Sequence, residues 1–297
     1  MNTLLILIKR NIKLFFKDKG MFLTSLITPL ILLVLYVTFL GNLYKETYLN
    51  LGEGIVLSDK LISGLVGGQL VSSILAVSCV TVAFSSNFLM VQDKANQTIK
   101  DLYITPVKSS TLSLSYYFAS LISTLIICLA ALGIGLIYLA FVGWYLSFVD
   151  VLLLLLDVFL IVMFGTAISS VINYFLSTQG QISAVGSIVS SCYGFICGAY
   201  MPIATFGDGL QKVLSFLPGT YATSLLRTHA LNGALSEMES QGIPNEVVNS
   251  LEISLDMHVS FLGNEVNEFS KIMILTVFTI VLIGTYILIN KLKNKKK

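Results

Sequence analysis

LSLSYYFASLISTLIICLAALGIGLIYLAFV, residues 112–142, contains no charged side chain. At about 1.5 Å per residue, a helix of this length outruns the roughly 30 Å hydrocarbon core of a bilayer. Working outward from it, other apolar runs of spanning length lie at Met21–Leu40, Leu61–Met90, Val151–Leu176, Gln181–Tyr200 and Ile272–Asn290. Charged residues make up 11% of the chain and hydrophobic ones 55%, with a mean hydropathy of +0.86. A soluble domain carries about 25% charged residues, so this chain has too little polar surface to coat a water-soluble particle. Its solvent is lipid. The expected fold is all-α, a single membrane domain over residues 1–297 with six transmembrane helices.

The placement of lysine and arginine predicts the orientation. Lys9, Arg10, Lys13, Lys17 and Lys19 precede the first span, and Lys94, Lys100 and Lys108 follow the second. Lys291, Lys293, Lys295, Lys296 and Lys297 follow the last. The alternate loops are poor in cations, and residues 201–271 hold Asp208, Glu237, Glu239, Glu246, Glu252, Asp256, Glu265 and Glu268. Both termini are therefore expected in the cytoplasm, with the acidic stretch outside. Before the first span, Leu4, Ile8, Ile12 and Phe15 share one helical face, and Lys9, Arg10, Lys13 and Lys17 the other. That pattern predicts an interfacial helix whose cations meet anionic membrane lipid. The early basic stretch leads into a run long enough to span, with no small-residue cleavage site, so a cleavable signal is not expected.

Several chemistries find no support. A phosphate-cradling loop needs a Gly-Lys pair, and the chain has none. Gly64-Leu-Val-Gly-Gly-Gln69 superficially matches a nucleotide-binding signature but lies within an apolar span. Gly64 and Gly68, four apart, suit close helix contact instead. His229 and His258 have no companion at metal-ligand spacing, so no metal is expected. Cys79, Cys128, Cys192 and Cys197 lie in apolar runs and read as small hydrophobes. Asp157 is the one clear acid within a span; its partner would be a polar helix, Asn173 or interfacial water. An ion-coupled transporter would want more such groups, and a membrane enzyme would want polar clusters.

Two segments carry more information. The first is Val91-Gln-Asp-Lys-Ala-Asn-Gln-Thr-Ile-Lys-Asp-Leu-Tyr-Ile-Thr-Pro-Val107, a short polar helix of mixed charge stopped near Pro106. Ile99, Leu102 and Tyr103 fall on one side of it as an apolar docking face. The second is Gly198-Ala-Tyr-Met-Pro-Ile203, followed by the stretch Leu210–Tyr221 and by Leu225-Leu-Arg227. Pro202 and Pro218 break helices there, and Leu210, Val213, Leu214 and Leu217 make an apolar face too short to span. A re-entrant helical pair is the expected result. The stretch Leu231–Ser270 reads as a polar, acidic insertion with a small helical cap over Ile243–Val259.

With these motifs in this order, the sequence resembles the ABC-2 family of transporter membrane subunits. Asp93, Lys94, Thr98, Leu102, Thr105 and Pro106 hold the places of that family's motif. Gln92-Asp93 and Gln97-Thr98 stand where the usual run has arginine-glutamate and glycine-threonine. The resemblance implies that Asp93, Lys94, Gln97, Thr98, Asp101, Leu102, Tyr103, Thr105 and Pro106 form a coupling helix seated on a separate ATP-binding subunit. ATP and Mg would be bound on that partner, with no cofactor or catalysis on this chain and no role for nucleic acid. A second permease copy or paralogue would complete the assembly, with Gly194 and Gly198 on the fifth span suited to the seam. The implied activity is export of an amphipathic compound across a bacterial plasma membrane. The alternatives are export of a lipid-linked polysaccharide and an ion-coupled secondary transporter.

Overall fold

A computed structural model of the protein describes residues 2–49, 57–105, 107–261 and 263–294. The chain folds into α1 (Asn2–Lys17), α2 (Lys19–Leu35), a π-helical turn at Tyr36–Leu40, α3 (Gly41–Leu49), α4 (Asp59–Ala95) and α5 (Thr98–Ile104). There follow α6 (Ser109–Val142), α7 (Phe148–Phe175), α8 (Gln179–Ile196), a 3-10 turn at Ile203–Thr205 and α9 (Asp208–Leu214). The chain continues through α10 (Pro218–Ser240), α11 (Asn245–Ser254), an antiparallel hairpin of β1 (Val259–Phe261) and β2 (Asn264–Val266), and α12 (Glu268–Asn294). The hairpin departs from the all-α expectation. It is small, pairing Val259 with Val266 and Phe261 with Asn264.

Local chemistry sets the helix starts. Ser58 accepts from the Leu61 amide at 3.3 Å ahead of α4. Ser147 and Asp150 form a reciprocal capping box at α7, and Thr178 and Gln181 form another at α8. Among the described residues, five helical stretches are long and apolar enough to cross a membrane: Lys19–Leu49, α4, α6, α7 and Glu268–Leu292. The expected fifth span is not among them. Its helix, α8, ends at Ile196 rather than Tyr200 and begins with Gln179-Gly-Gln181.

At the centre is α4, with 28 of its 37 residues buried against α2, α6, α7, α8 and α10. Small polar residues knit this centre together. Ser86 meets Ser120 at 2.6 Å and Thr124 at 3.2 Å on α6, and Asn87 donates to Ser169 and Ser170 on α7 at 3.1 and 2.7 Å. Hydrophobic burial gives little drive between helices in lipid, so close packing and such bonds, about 0.6 kcal/mol each on average, specify the contacts. Gly165 lets α7 touch α4: a methyl there would lie 2.7 Å from the Cys79 carbonyl oxygen.

The two chain ends meet the same end of the bundle. Asn11 of α1 donates to Ser115 at 3.4 Å, and Asn290 of α12 accepts from Ser113 at 2.6 Å, both at the start of α6. Lys94 closes the C-terminus of α7 there, so this is the basic end.

Residues 201–271, expected as a re-entrant pair and a cap, contain a long buried helix. α10 buries 16 of its 23 residues and packs on α4, α7 and α12. It runs straight through the boundary expected at Leu231. Beyond it, α11 supplies the expected helical cap. The supposed amphipathic face at 210–217 is divided, with Leu214 buried and Leu210 and Val213 exposed.

Candidate functional site: the two ends of the bundle

At the basic end, α5 hangs between the C-terminus of α4 and the start of α6. Gln97 adopts a left-handed backbone, φ 64°, which turns the chain sharply between α4 and α5. Ile99 and Leu102 pack inward on a cluster that includes Leu7, Phe15, Met90 and Leu112. Both are half-buried there. Gln97, Lys100, Asp101, Ile104 and Thr105 face outward, and Ile104 is 84% exposed. Thr98 is half-buried. Pro106 lies outside the described residues, as does the side chain of Tyr103.

Asp93 and Lys94 also point inward. Arg10 donates to Asp93 Oδ2 at 2.8 Å, and the Tyr116 hydroxyl donates to the same oxygen at 2.5 Å. The three residues tie α1, α4 and α6 together one turn before α5. Lys94 Nζ reaches the carbonyl oxygens of Asn173, Tyr174 and Leu176 at 3.2, 2.7 and 3.0 Å, and lies 5.2 Å from the centre of the Tyr174 ring. A cation there answers the unpaired carbonyls and negative dipole of the α7 C-terminus. Leu4, Ile8, Ile12 and Phe15 of α1 turn toward the protein, while Lys9, Lys13 and Lys17 are exposed. Arg10 departs from the expected cationic face because Asp93 draws it in.

At the opposite end, Arg227 is fully buried. Its Nη1 donates to Leu255 O at 3.0 Å and Asp256 Oδ2 at 2.9 Å, and its Nη2 to Gly198 O. Asp256 also accepts the amides of Ile203 at 2.6 Å and Ala204 at 2.9 Å. The guanidinium thus binds the segment just after α8 and the cap, and Asp256 adds the turn after Pro202. Gly198 has φ 78°, which a side chain would strain.

The four glycines fall in different places. Gly64 lies against Tyr145 and Gly143, and Gly68 against the Ala230 carbonyl, so both permit close contact within the chain. Gly194 is covered by the Tyr200 ring, and Gly198 serves the turn. Pro202 precedes the 3-10 turn and Pro218 opens α10 at its first position.

Three further features were not read from sequence. Asp157 pairs with His229 at 2.6 Å, whereas Asn173 instead donates to Phe84 O at 3.4 Å. In the cap, His258 contacts Glu265 and lies 2.9 Å from Glu252. Partial burial pulls the His258 imidazole down, but its hydrogen bonds to the two glutamates outweigh that and raise it. The hydrogen bond from His258 holds Glu265 below the usual carboxylate range. Finally, a cavity of about 770 Å³ opens between α2, α3, α8 and the cap. Aromatic and aliphatic side chains such as Phe39, Tyr44 and Phe195 line it, with hydroxyls from Thr28, Ser190 and Ser191, and none of its described lining residues is charged. Signals for these features existed in sequence only as isolated acids and an arginine in apolar surroundings, each needing a counter-charge.

Long apolar helices around a polar seam, with a short exposed helix at the basic end, are those of a multi-pass membrane protein. The ABC-2 type transporter family model matches residues 2–230, and the chain belongs to that family. A search of curated proteins found no match. It is therefore a permease component of an ABC transporter rather than a catalytic domain, and its family implies an ATP-binding partner subunit.

Proposed function

We propose that this chain is the permease of an exporter, driven by a separate ATP-binding subunit that docks on α5 at the cytoplasmic face. The exposed outer face of α5, with Ile104 standing out of a rim of Gln97, Lys100, Asp101 and Thr105, is the observation that carries this reading. A nearly bare isoleucine in a polar rim suits a shallow pocket on a soluble partner. Closure of two ATP-bound motor subunits pushes α5. Its root at Ile99 and Leu102, and the Arg10–Asp93–Tyr116 cluster above it, pass the movement to α1, α4 and α6. ATP and Mg act on the partner.

The chain ends support two cytoplasmic termini. α7 finishes at the basic end and α12 begins at the other, so α8 must carry the chain back across, which supports six crossings. Two permeases, identical or paralogous, pair around the path, and the lysines of α1 lie among anionic lipid headgroups of a bacterial plasma membrane. The uncharged, hydroxyl-bearing cavity of about 770 Å³ supports an amphipathic cargo of drug, peptide or lipid-like character.

The test is purification of the tagged chain from its native membrane with identification of what accompanies it. An ATP-hydrolysing subunit in stoichiometric amount is expected, and Ile104→Asp should release it while the permease still inserts. Retention of that subunit by Ile104→Asp, or extracellular labelling of a cysteine placed at Lys100, overturns the assignment.

A further inference from the structure

Asp157 lies nine residues into α7, counted from Phe148, and is fully buried. Its Oδ2 is 2.6 Å from His229 Nδ1 on α10, while its Oδ1 has no hydrogen-bond partner among the described residues. The other ring nitrogen, Nε2, lies 4.0 Å from Glu268 Oε2 at the start of α12. The Glu268 side chain is 57% exposed, so one imidazole stands between a sealed acid and an acid in contact with the medium. We propose that Asp157 and His229 form a proton-binding site inside the bundle, loaded from the medium through Glu268, and that its occupancy sets how firmly α10 is held against α7.

The surroundings favour a retained proton. From α7, Asp150 faces the same region, its carboxylate bound to the Ser147 amide at 2.8 Å and to Asn232 at 3.0 Å. From α12 comes Glu268, and from α4 the buried thiol of Cys79. Three carboxyl groups therefore surround a single imidazole. With one proton shared, Asp157 and His229 are together neutral, either as a hydrogen-bonded acid and base or as an ion pair. Removing that proton leaves a buried carboxylate beside a neutral ring, which the low-dielectric interior disfavours strongly.

The transfer balances by tautomer exchange. Protonated Glu268, directly or through one bridging water, gives a proton to His229 Nε2. The ring releases its Nδ1 proton to Asp157 Oδ2 and ends neutral, carrying the proton on Nε2. Asn232, three residues after His229, makes a second rung between α10 and α7, its amide donating to the Asp150 carboxylate. α10 is thus held by one rung whose donor is an amide and one rung that depends on the proton shared by Asp157 and His229.

Infrared difference spectroscopy of the purified permease in lipid nanodiscs, between pH 5 and pH 9, tests this without an ATP-binding partner or a cargo. A carboxylic-acid carbonyl band that titrates in the wild type, and is missing in Asp157→Asn, is the expected result. The unfolding midpoint should vary with pH in the wild type and lose most of that variation in the neutral pair Asp157→Asn with His229→Gln. Glu268→Gln, a surface change, should keep the band and slow its deuterium exchange at least tenfold. A titrating band that survives Asp157→Asn, or equal pH dependence in the wild type and the neutral pair, overturns the proposal. Where the buried variants fail to accumulate, the wild type and Glu268→Gln decide it: equal exchange rates refute the relay.

Discussion

Each end of the bundle is closed by a guanidinium paired with an aspartate, and the two closures differ in their access to water. Arg10 keeps 27% of its side chain exposed beside Asp93, whereas Arg227 keeps none beside Asp256. The aspartates are equally buried, but the partly exposed Arg10 can exchange its partner for water more easily than a sealed guanidinium can. For the sealed one, parting leaves a charge in a medium that solvates it poorly. The difference marks the basic end as the place where helices α1, α4 and α6 can shift against each other. The opposite end, where Arg227 gathers α8, α10 and the cap, is a fixed brace. If a partner docks on α5 as proposed above, this division puts the more hydrated closure next to it and the sealed one at the far end.

The largest expected effect breaks the brace. Arg227→Met should destabilise the protein by about 3–5 kcal/mol, because Asp256 is left buried without its cation. Thermal unfolding in detergent measures it, and a midpoint equal to wild type would erase the distinction between the ends. Adding Asp256→Leu should recover only part of the loss, since the amides of Ile203 and Ala204 then lose their acceptor.

Gly165→Ala comes next. It tests whether the body between the ends is rigid, and should lower stability by about 1–3 kcal/mol because its methyl group meets the backbone of α4. A neutral outcome in the same unfolding assay would mean that α7 and α4 slide freely.

Asp93→Asn should cost about 1–2 kcal/mol, because a buried acceptor of two hydrogen bonds is weakened while Arg10 keeps access to water, and ATP-driven transport should fall at least tenfold with the complex still assembled. Transport assayed in proteoliposomes against the amount of bound ATP-binding subunit separates the two effects. Unchanged transport would show that the hydrated pair carries no movement.

The smallest effect belongs to the cap. His258 has its ionisation raised from 6.5 by the glutamates, so its stabilising contribution is full below that pH and disappears as pH rises through the raised value. Glu265, lowered from 4.5, contributes above that pH and loses its contribution as pH falls through the lowered value. Protease resistance of the cap should therefore peak in mildly acidic medium and flatten in His258→Gln. A peak unmoved by that substitution would exclude the clip.

Much of the helical layout was legible in sequence because hydrophobic run length and lysine placement are local. The spans at 61–90 and 112–142 needed only extension at their ends, by capping residues such as Ser58. The α1 face of Leu4, Ile8, Ile12 and Phe15 followed from a period of 3.6 residues. α10 was misjudged for a physical reason. Its sequence mixes Arg227, His229 and Ser224 with leucines and has no long apolar run, yet partners on α7, in the cap and just after α8 satisfy those groups and allow burial. The α5 face of Ile99 and Leu102 also followed from periodicity, which identifies a face but not what covers it.

Composition and the spacing of apolar runs by themselves determined that this chain lives in lipid as a helical bundle with its basic segments gathered on one side. Those properties follow from the transfer of single side chains and from a helix that satisfies its own backbone. Only the tertiary structure decided that Arg10 meets Asp93 across 83 residues and that His229 meets Asp157 across 72. Such pairings depend on the depth and rotation of each helix against its neighbours, and no local stretch of sequence carries that information.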